Sequence, residues 1–154
     1  MFHVVLYRPE IPPNTGNAIR MAACTGARLH LVRPLGFTLD DARLRRAGLD
    51  YHDLARVSVH DDLDALWAAL AGSRVFAFSA SATTRYTDVA YAEGYALLFG
   101  PESVGLPDDV QHAAQVTDRL RVPMLAGRRS LNLSNTAAIA VHEAWRQHGF
   151  AGAV

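Results

Sequence analysis

Short apolar runs alternate along this chain with segments of helical periodicity, and this alternation constrains the fold more than any other feature. The strand-like runs, rich in branched and aromatic residues, are FHVVLY, RLHLV, ARVSV, RVFAFS, YALLFG and DRLRVP. The helical segments between and after them are NTGNAIRMAACTGA, DDARLRRA, DDLDALWAALAG, LPDDVQHA and a closing helix from about Leu133 to His148. The pattern predicts an α/β fold with a parallel sheet covered by helices on both faces.

The length of the chain indicates one compact unit. A chain of 154 residues without a linker, an internal repeat or a low-complexity segment predicts a single domain over residues 1–154. No apolar run approaches the roughly 20 residues that span a bilayer, and the N-terminus MFHVVLYRPEIPP has no basic region of a signal peptide. We therefore expect a cytoplasmic protein that does not enter a membrane.

Several familiar chemistries are excluded by the residue types present. All 15 basic residues are arginine, which rules out a P-loop lysine and a Schiff base. There is no G-x-G-x-x-G or G-x-S-x-G motif, and Arg146 stands four residues after His142 where a zinc protease needs a second histidine. The single cysteine, Cys24, allows no internal disulfide, and we expect it to be buried in a helix. No metal site is expected.

Two loops carry residues that could serve either a ligand or the local structure. In PEIPPNTGNAIR, Asn14 is predicted to cap a helix that ends at Gly26, and Arg20 lies on the same helix. A capped helix with a solvated arginine accounts for that segment equally well. In LLFGPESVGLP a buried strand ends at Gly100, where glycine would let a ligand approach the backbone, although an ordinary turn also uses glycine and proline.

A third loop stands between the last strand and the last helix, in RVPMLAGRRSLNLSN. The strand is expected to end at Pro123, and four neutral polar residues then crowd the start of the helix: Ser130, Asn132, Ser134 and Asn135. One helix cap needs only one such side chain. The excess, together with free amides at the helix start, indicates a ligand site.

Taken in order, the three segments resemble the three motifs of the SPOUT class of RNA methyltransferases, and in particular the small tRNA 2'-O-methyltransferases that modify the wobble ribose of leucine tRNAs. The likeness covers nearly the whole chain and includes IPPNTGNAIR, LRRAGLDYH, FGPESVGLP, RVPM and RSLNLSN. It implies a C-terminal trefoil knot, S-adenosylmethionine bound in that knot, and a homodimer that completes the site.

The resemblance also implies roles for individual residues. The catalytic group would be Arg20, Asn14, Ser130 and Asn132. The cofactor would be held by Phe78, Ser79, Gly100, Glu102, Val122, Ser130 and Leu131. The anticodon stem-loop of tRNA would meet Arg43, Arg45, Arg46, Tyr51 and His52, where arginine suits phosphates and tyrosine can stack on a base. The chain departs from the family pattern at Arg85, where lysine is common, and at His142, where tyrosine is frequent.

The implied reaction moves a methyl group from the sulfonium of the cofactor to a ribose 2'-hydroxyl. Because arginine stays charged in proteins, Arg20 is better suited to gripping a phosphate than to accepting the proton, which phosphate, water or His52 would take. Two other readings stay open. One is a ribosomal RNA 2'-O-methyltransferase, which usually carries an extra RNA-binding domain, and the other is a non-catalytic RNA-binding module of the same fold.

Overall fold

The computed structural model describes residues 1–40, 54 and 56–154, so the predicted helix DDARLRRA lies outside the described residues beyond its first residue. The described strands are β1 His3–Tyr7, β2 Arg28–Val32, β3 Val57–His60, β4 Val75–Phe78, β5 Thr84–Arg85, β6 Ala96–Phe99 and β7 Val116–Arg121. The described α-helices are α1 Pro12–Thr25, α2 Leu63–Ala69, α3 Asp108–Gln111 and α4 Leu133–Gln147, and a 3-10 turn spans Tyr86–Asp88. None of the helices in this part of the chain is long and apolar enough to cross a bilayer.

The strands form one sheet in the order β3-β2-β1-β6-β4-β7-β5, and every described pairing in it is parallel. The predicted parallel α/β fold is therefore confirmed. The chain leaves β1 toward β2 and β3 on one side, and the later strands fill the other side. In open parallel sheets such a change of direction creates a crevice at the carboxyl ends of the strands, where ligands bind.

Alternate residues of the central strands supply two apolar layers. Val4 and Leu6 of β1 pack in the layer that includes α1 and α4, whereas Val5 and Tyr7 pack in the layer beneath α2. Side chains alternate between the two faces of a strand, which explains this division. The run Ala96–Phe99 is fully buried, as predicted for a strand covered on both sides. Helices α1 and α4 also pack against each other.

The start of α1 differs from the prediction. The helix begins at Pro12, with Ile11 as the N-cap residue, and Asn14 lies inside the first turn, so the expectation that Asn14 caps this helix was wrong. Proline tolerates the first helical position because the amide it lacks would have no partner in the helix. The predicted end is confirmed, because Gly26 follows the helix with φ 76°, a left-handed conformation that glycine adopts without strain.

Other local differences follow from tertiary contacts. Strand β7 ends at Arg121, two residues before Pro123. The two-residue strand β5 was not predicted, because it exists only through its pairing with β7. Cys24 is exposed on α1, not buried as expected. It lies on the side of the helix that turns away from the sheet.

Three histidines form a hydrogen-bonded ladder across the edge of the sheet. His3 Nδ1 lies 2.8 Å from His30 Nε2, and His30 Nδ1 lies 2.9 Å from His60 Nε2. The rings of His30 and His60 stack with centroids 5.1 Å apart. His30 is buried in the middle of the ladder, and burial together with the neighbouring charges of His3, His60 and Arg28 lowers its pKa to about 4.

Candidate active site

A cavity of about 680 Å³ lies at the carboxyl edge of the sheet, next to the ends of β4, β6 and β7. Three loops surround it: residues 79–81 after β4, residues 100–106 after β6, and the segment from Arg121 to Leu133 between β7 and α4. Its volume falls within the range of small-molecule sites, which is roughly 300–1,000 Å³. This is the edge at which the switch in strand order predicts a ligand crevice.

One wall of the cavity is aromatic. The rings of Phe78 and Phe99, the last residues of β4 and β6, stack with centroids 4.6 Å apart. Both residues are largely buried, so their packing holds the ends of the two strands in place. They offer a flat apolar surface beside the polar groups of the surrounding loops.

Gly100 follows Phe99 and turns the chain out of the sheet. A Cβ atom at this position would lie 2.2 Å from Leu106 N and 2.3 Å from Gly105 C. Glycine is therefore needed because the returning backbone of the 100–106 loop passes against it. The sequence had suggested that this glycine makes room for a ligand, but the space beside its α-carbon is filled by the loop itself.

Glu102, in the same loop, reaches across to the start of α1. Its Oε2 accepts a hydrogen bond from Glu10 N at 2.7 Å, and its Oε1 accepts one from Ile11 N at 3.0 Å. Amides before and within the first turn of a helix have no partner in the helix, and a carboxylate also complements the positive end of the helix dipole. Glu102 therefore caps α1 from 91 or more residues away, which explains why Asn14 does not.

Asn14 connects two of the loops. Its Nδ2 donates to Glu102 Oε1 at 3.1 Å, and its Oδ1 accepts from Asn132 Nδ2 at 2.8 Å. Asn14 is only 4% exposed, so both groups of its amide are paired in a buried position. The three side chains form a continuous chain of hydrogen bonds between the first, second and third polar segments of the sequence.

Asn132 ends that chain and caps α4. Its Oδ1 accepts from Ser134 N at 2.9 Å, from Ser134 Oγ at 2.7 Å and from Asn135 N at 3.2 Å. Ser134 and Asn135, two of the four polar residues at the start of α4, thus donate to the capping oxygen of Asn132. Ser130 and Asn132 line the cavity.

The structure brings most of the predicted site together. The predicted residues that line the cavity are Asn14, Phe78, Ser79, Gly100, Glu102, Val122, Ser130, Leu131 and Asn132. Arg20 lies about one and two-thirds turns beyond Asn14 on α1, is exposed, and is not among the described residues that line this cavity. The predicted RNA contacts lie outside the described residues: Arg43, Arg45, Arg46, Tyr51 and His52.

Three further residues at the site were not predicted. Arg121 is exposed and lines the cavity at the end of β7. Ser103 also lines the cavity, and its Oγ donates to Glu10 Oε1 at 2.8 Å. A signal for this pair exists, because Pro-Glu follows both β1 and β6, and these neighbouring strands pair with Leu6 opposite Phe99. Parallel strands in register bring both Pro-Glu dipeptides to the same edge of the sheet.

A parallel α/β domain with a half-apolar, half-polar cavity at the carboxyl edge defines a protein that binds a small amphipathic ligand in loops contributed by three distant segments. Residues 1–142 match the SpoU rRNA Methylase family. The chain belongs to this family of methyltransferases.

Similar proteins with assigned activities cover the chain from end to end. A protein of Methylovorus glucosotrophus (strain SIP3-4), named tRNA (cytidine(34)-2'-O)-methyltransferase, is 55% identical over 154 residues, which are 100% of both chains. A solved structure described as giving insights into the 2-OH methylation of C/U34 on tRNA is 48% identical, has a TM-score of 0.88, and covers 97% of each chain. An AdoMet-bound rRNA methyltransferase from Sinorhizobium meliloti is 28% identical with a TM-score of 0.81, over 94% of this chain and 56% of the other.

Proposed function

We propose that this protein transfers a methyl group from S-adenosylmethionine to the ribose 2'-hydroxyl of nucleotide 34, a cytidine or uridine, in the anticodon of tRNA, with leucine tRNAs as the expected substrates. The observation that carries the proposal is the cavity at the carboxyl edge. It gathers residues from three segments that are separate in the sequence and that resemble the motifs of such enzymes. The full-length identity of 55% to a relative with this named activity supports the same reaction.

The residues around the cavity fit this cofactor. Phe78 and Phe99 provide an apolar wall for a planar base, and Ser79, Ser130 and the backbone near Val122 provide polar groups for a ribose and an amino acid. The cofactor would supply an activated methyl group on a sulfonium. Glu102 has both carboxylate oxygens occupied by α1 and Asn14, so its proposed contribution to cofactor binding is to hold the wall of the cavity.

Arg20 is the proposed contact for the phosphate next to the target ribose. An arginine there would orient the substrate and favour negative charge on the attacking oxygen, because a guanidinium pairs well with phosphate oxygens. A guanidinium offers donors and no acceptor, so the proton of the hydroxyl is proposed to pass to phosphate, to water or to His52. Asn14 and Asn132 hold the last loop in position beside the cavity.

We also propose that the active protein is a homodimer. Arg121 lines the described cavity of its own chain, but Arg20, the proposed phosphate contact, does not. A second copy with its α1 near the cavity mouth would bring its Arg20 beside the reacting groups. An isologous dimer would then hold two such composite sites.

A trefoil knot at the carboxyl edge is part of the proposal. Its support is the position of β7 between β4 and β5, two strands that are consecutive in the sequence. The connection from β4 to β5 therefore crosses the carboxyl end of β7. At this end of β7 the following segment leaves the sheet toward Leu133. Ser79 N, at the start of that connection, donates to Leu120 O at 2.9 Å. Threading of this kind is rare among folds.

For the RNA, we propose that the basic segment before β3 meets the anticodon arm. The residues concerned are Arg43, Arg45, Arg46, Tyr51 and His52. A local basic patch suits phosphate contacts even on a chain whose formal net charge is zero. Because the proposed substrate is tRNA, we also propose a cytoplasmic location.

The test is methyl transfer in vitro with mapping of the product. Purified protein is mixed with radiolabelled S-adenosylmethionine and total tRNA from cells that lack this gene, and the label is located by nuclease digestion. We expect label on the ribose of nucleotide 34 and its loss in Arg20→Ala. Arg28→Ala is the matched control, because Arg28 starts β2 at the opposite edge of the sheet and should retain activity.

Each failure has a different meaning. Cofactor binding without labelling of tRNA would contradict the substrate assignment, and ribosomal RNA would be tested next. A protein that does not bind the cofactor would contradict the enzyme assignment and favour an RNA-binding module.

A further inference from the structure

Glu10 and Glu102 form a reciprocal clasp between the start of α1 and the loop after β6. The Glu102 carboxylate accepts from Glu10 N and Ile11 N. In return, the Glu10 carboxylate accepts from Ser103 N at 3.0 Å and from Ser103 Oγ at 2.8 Å. Each side chain thus binds the backbone beside the other, across 91 to 93 residues of sequence.

The loop held by this clasp forms one wall of the cavity. Gly105 N donates to Pro101 O at 2.8 Å, so residues 101–105 make a tight turn. The backbone of Gly100 packs against the backbone of Gly105 and Leu106, where this turn ends. Ser103 lines the cavity at the outer end of the turn. Among the described residues, Glu10 is the hydrogen-bond partner of Ser103 outside the turn, and it accepts from both the Ser103 amide and the Ser103 hydroxyl.

We propose that Glu10 is a positioning residue: it holds the 101–105 turn in the conformation that binds the cofactor. This inference rests on the proposed function, because it concerns the same cavity. Glu10 itself is exposed and is not among the described residues that line the cavity, so it acts through Ser103. Without it the turn keeps its internal hydrogen bond and its contact through Glu102 but loses the attachment of its outer end.

The position of Glu10 separates this role from general stability. Glu102 and Asn14 already anchor the buried part of α1, and Glu10 contributes only surface hydrogen bonds. Hydrogen bonds at exposed positions contribute little to folding, whereas a fixed loop conformation reduces the ordering that ligand binding must otherwise impose. Loss of Glu10 should therefore weaken cofactor binding more than it weakens the fold.

The experiment measures the Kd for S-adenosylmethionine by calorimetry, with Tm and kcat at saturating cofactor as further readouts. We expect Glu10→Ala to raise Kd by about fivefold to tenfold, with kcat within about twofold and Tm nearly unchanged. Ser103→Ala keeps the backbone donor and should have a smaller effect, and the double variant should be no worse than Glu10→Ala alone, because the two side chains share one interaction. Glu93→Ala is the matched control, since Glu93 is 79% exposed and pairs with the N-terminal amine.

The outcomes are distinguishable from failure of the proposed function. An unchanged Kd in Glu10→Ala, or additive effects of the two substitutions, would overturn the role of Glu10 while wild-type binding still supported the enzyme. A fall in Tm with no change in Kd would show a purely structural role and also overturn it. If the wild-type protein does not bind the cofactor, both proposals fail together. Should Glu10→Ala not fold, Ser103→Ala, which removes the hydroxyl donor to Glu10, gives the same comparison with a smaller expected rise in Kd.

Discussion

Asn132 Nδ2 donates a 2.8 Å hydrogen bond to Asn14 Oδ1 and so joins two side chains that are 118 residues apart in the sequence. Asn14 also donates to Glu102, while Asn132 accepts three hydrogen bonds from the first turn of α4. The orientation of each amide is determined by its partners: Asn14 must donate to a carboxylate, so its oxygen faces Asn132. This polar chain links the starts of α1 and α4 beside the cavity.

Asn132 has two functions, capping α4 and donating to Asn14, and substitutions can separate them. Asn132→Asp keeps an oxygen that caps α4 but replaces the donor to Asn14 with an acceptor, so two oxygens then face each other. We expect the unfolding free energy in urea to stay within about 1 kcal/mol of wild type, while the Kd for S-adenosylmethionine rises about tenfold.

Asn132→Ala removes both functions and should cost about 1–2 kcal/mol in the same measurement. Asn135→Asp is the control, because it makes the same chemical change at an exposed position in the same helical turn. If Asn132→Asp and Asn135→Asp bind the cofactor equally well, the hydrogen bond to Asn14 has no part in shaping the cavity.

Gly100 should tolerate no side chain. A Cβ atom at this position meets backbone atoms of Gly105 and Leu106 at 2.2–2.8 Å, and backbone cannot move aside as a flexible side chain can. We expect Gly100→Ala to lower the unfolding free energy by about 2 kcal/mol or more and to abolish measurable cofactor binding.

Gly16→Ala is the comparison for this prediction. An added Cβ at Gly16, which lies inside α1, meets no heavy atom within 4 Å beyond its chain neighbours and the backbone of its own helix. Alanine there should stabilise the helix by about 0.5–1 kcal/mol in the same urea titration. Equal stability changes in the two variants would mean that the 100–106 loop can shift at little cost.

The histidine ladder makes stability depend on pH. Burial, followed by the charges of His3, His60 and Arg28, lowers the pKa of His30 from 6.5 to about 4. The unfolded chain then binds more protons than the folded chain between these values, so stability is fully present above about pH 6.5 and falls as the pH decreases through 4. We expect a loss on the order of 3 kcal/mol by pH 4, because one pKa unit corresponds to about 1.4 kcal/mol.

His30→Gln should remove most of that pH dependence, because glutamine has a hydrogen-bonding amide and does not titrate. The measurement is the urea unfolding free energy at several pH values between 4 and 7. His112→Gln, which removes an exposed histidine outside the ladder, should keep the wild-type slope. A His30→Gln curve parallel to that of wild type would assign the acid sensitivity to other groups.

The sequence was sufficient for the elements whose signal is local. Apolar runs and helical periodicity predicted six of the seven strands and the positions of α1, α2, α3 and α4 to within a few residues. The missed strand β5 has two residues, too short for any periodicity. The sheet order required pairings between distant strands, which no local pattern contains.

Many of the residues that line the cavity could be named from the sequence, but the hydrogen bonds that join them could not. In the third segment the polar residues exceed what a helix cap requires, whereas the residues of the first two segments were singled out through the family resemblance. Their partners were not predicted, because the cap of α1 is a carboxylate 91 residues along the chain. An Asn after two prolines satisfies the local rule for a cap, and Glu102 overrides it by reaching the same helix start from the neighbouring strand.

The position of Arg20 leads to a test of the composite site by subunit mixing. If Arg20 serves the cavity of the other copy, a heterodimer of Arg20→Ala with Asn132→Asp contains one cavity in which every residue is wild type. The two variants are co-expressed with different affinity tags, and the doubly tagged species is assayed for methyl transfer at low cofactor concentration. We expect about half the wild-type activity, well above that of either parent, because one of two sites in a symmetric dimer is restored.

The control for mixing combines Asn14→Asp with Asn132→Asp. These two residues contact each other within one chain, so every cavity in that heterodimer keeps one defect and no activity should return. Activity restored in the first pair alone places Arg20 and the Asn132 loop on opposite copies at each working site. If neither pair recovers, Arg20 acts at the cavity of its own chain, and α1 must then move on RNA binding to bring it there.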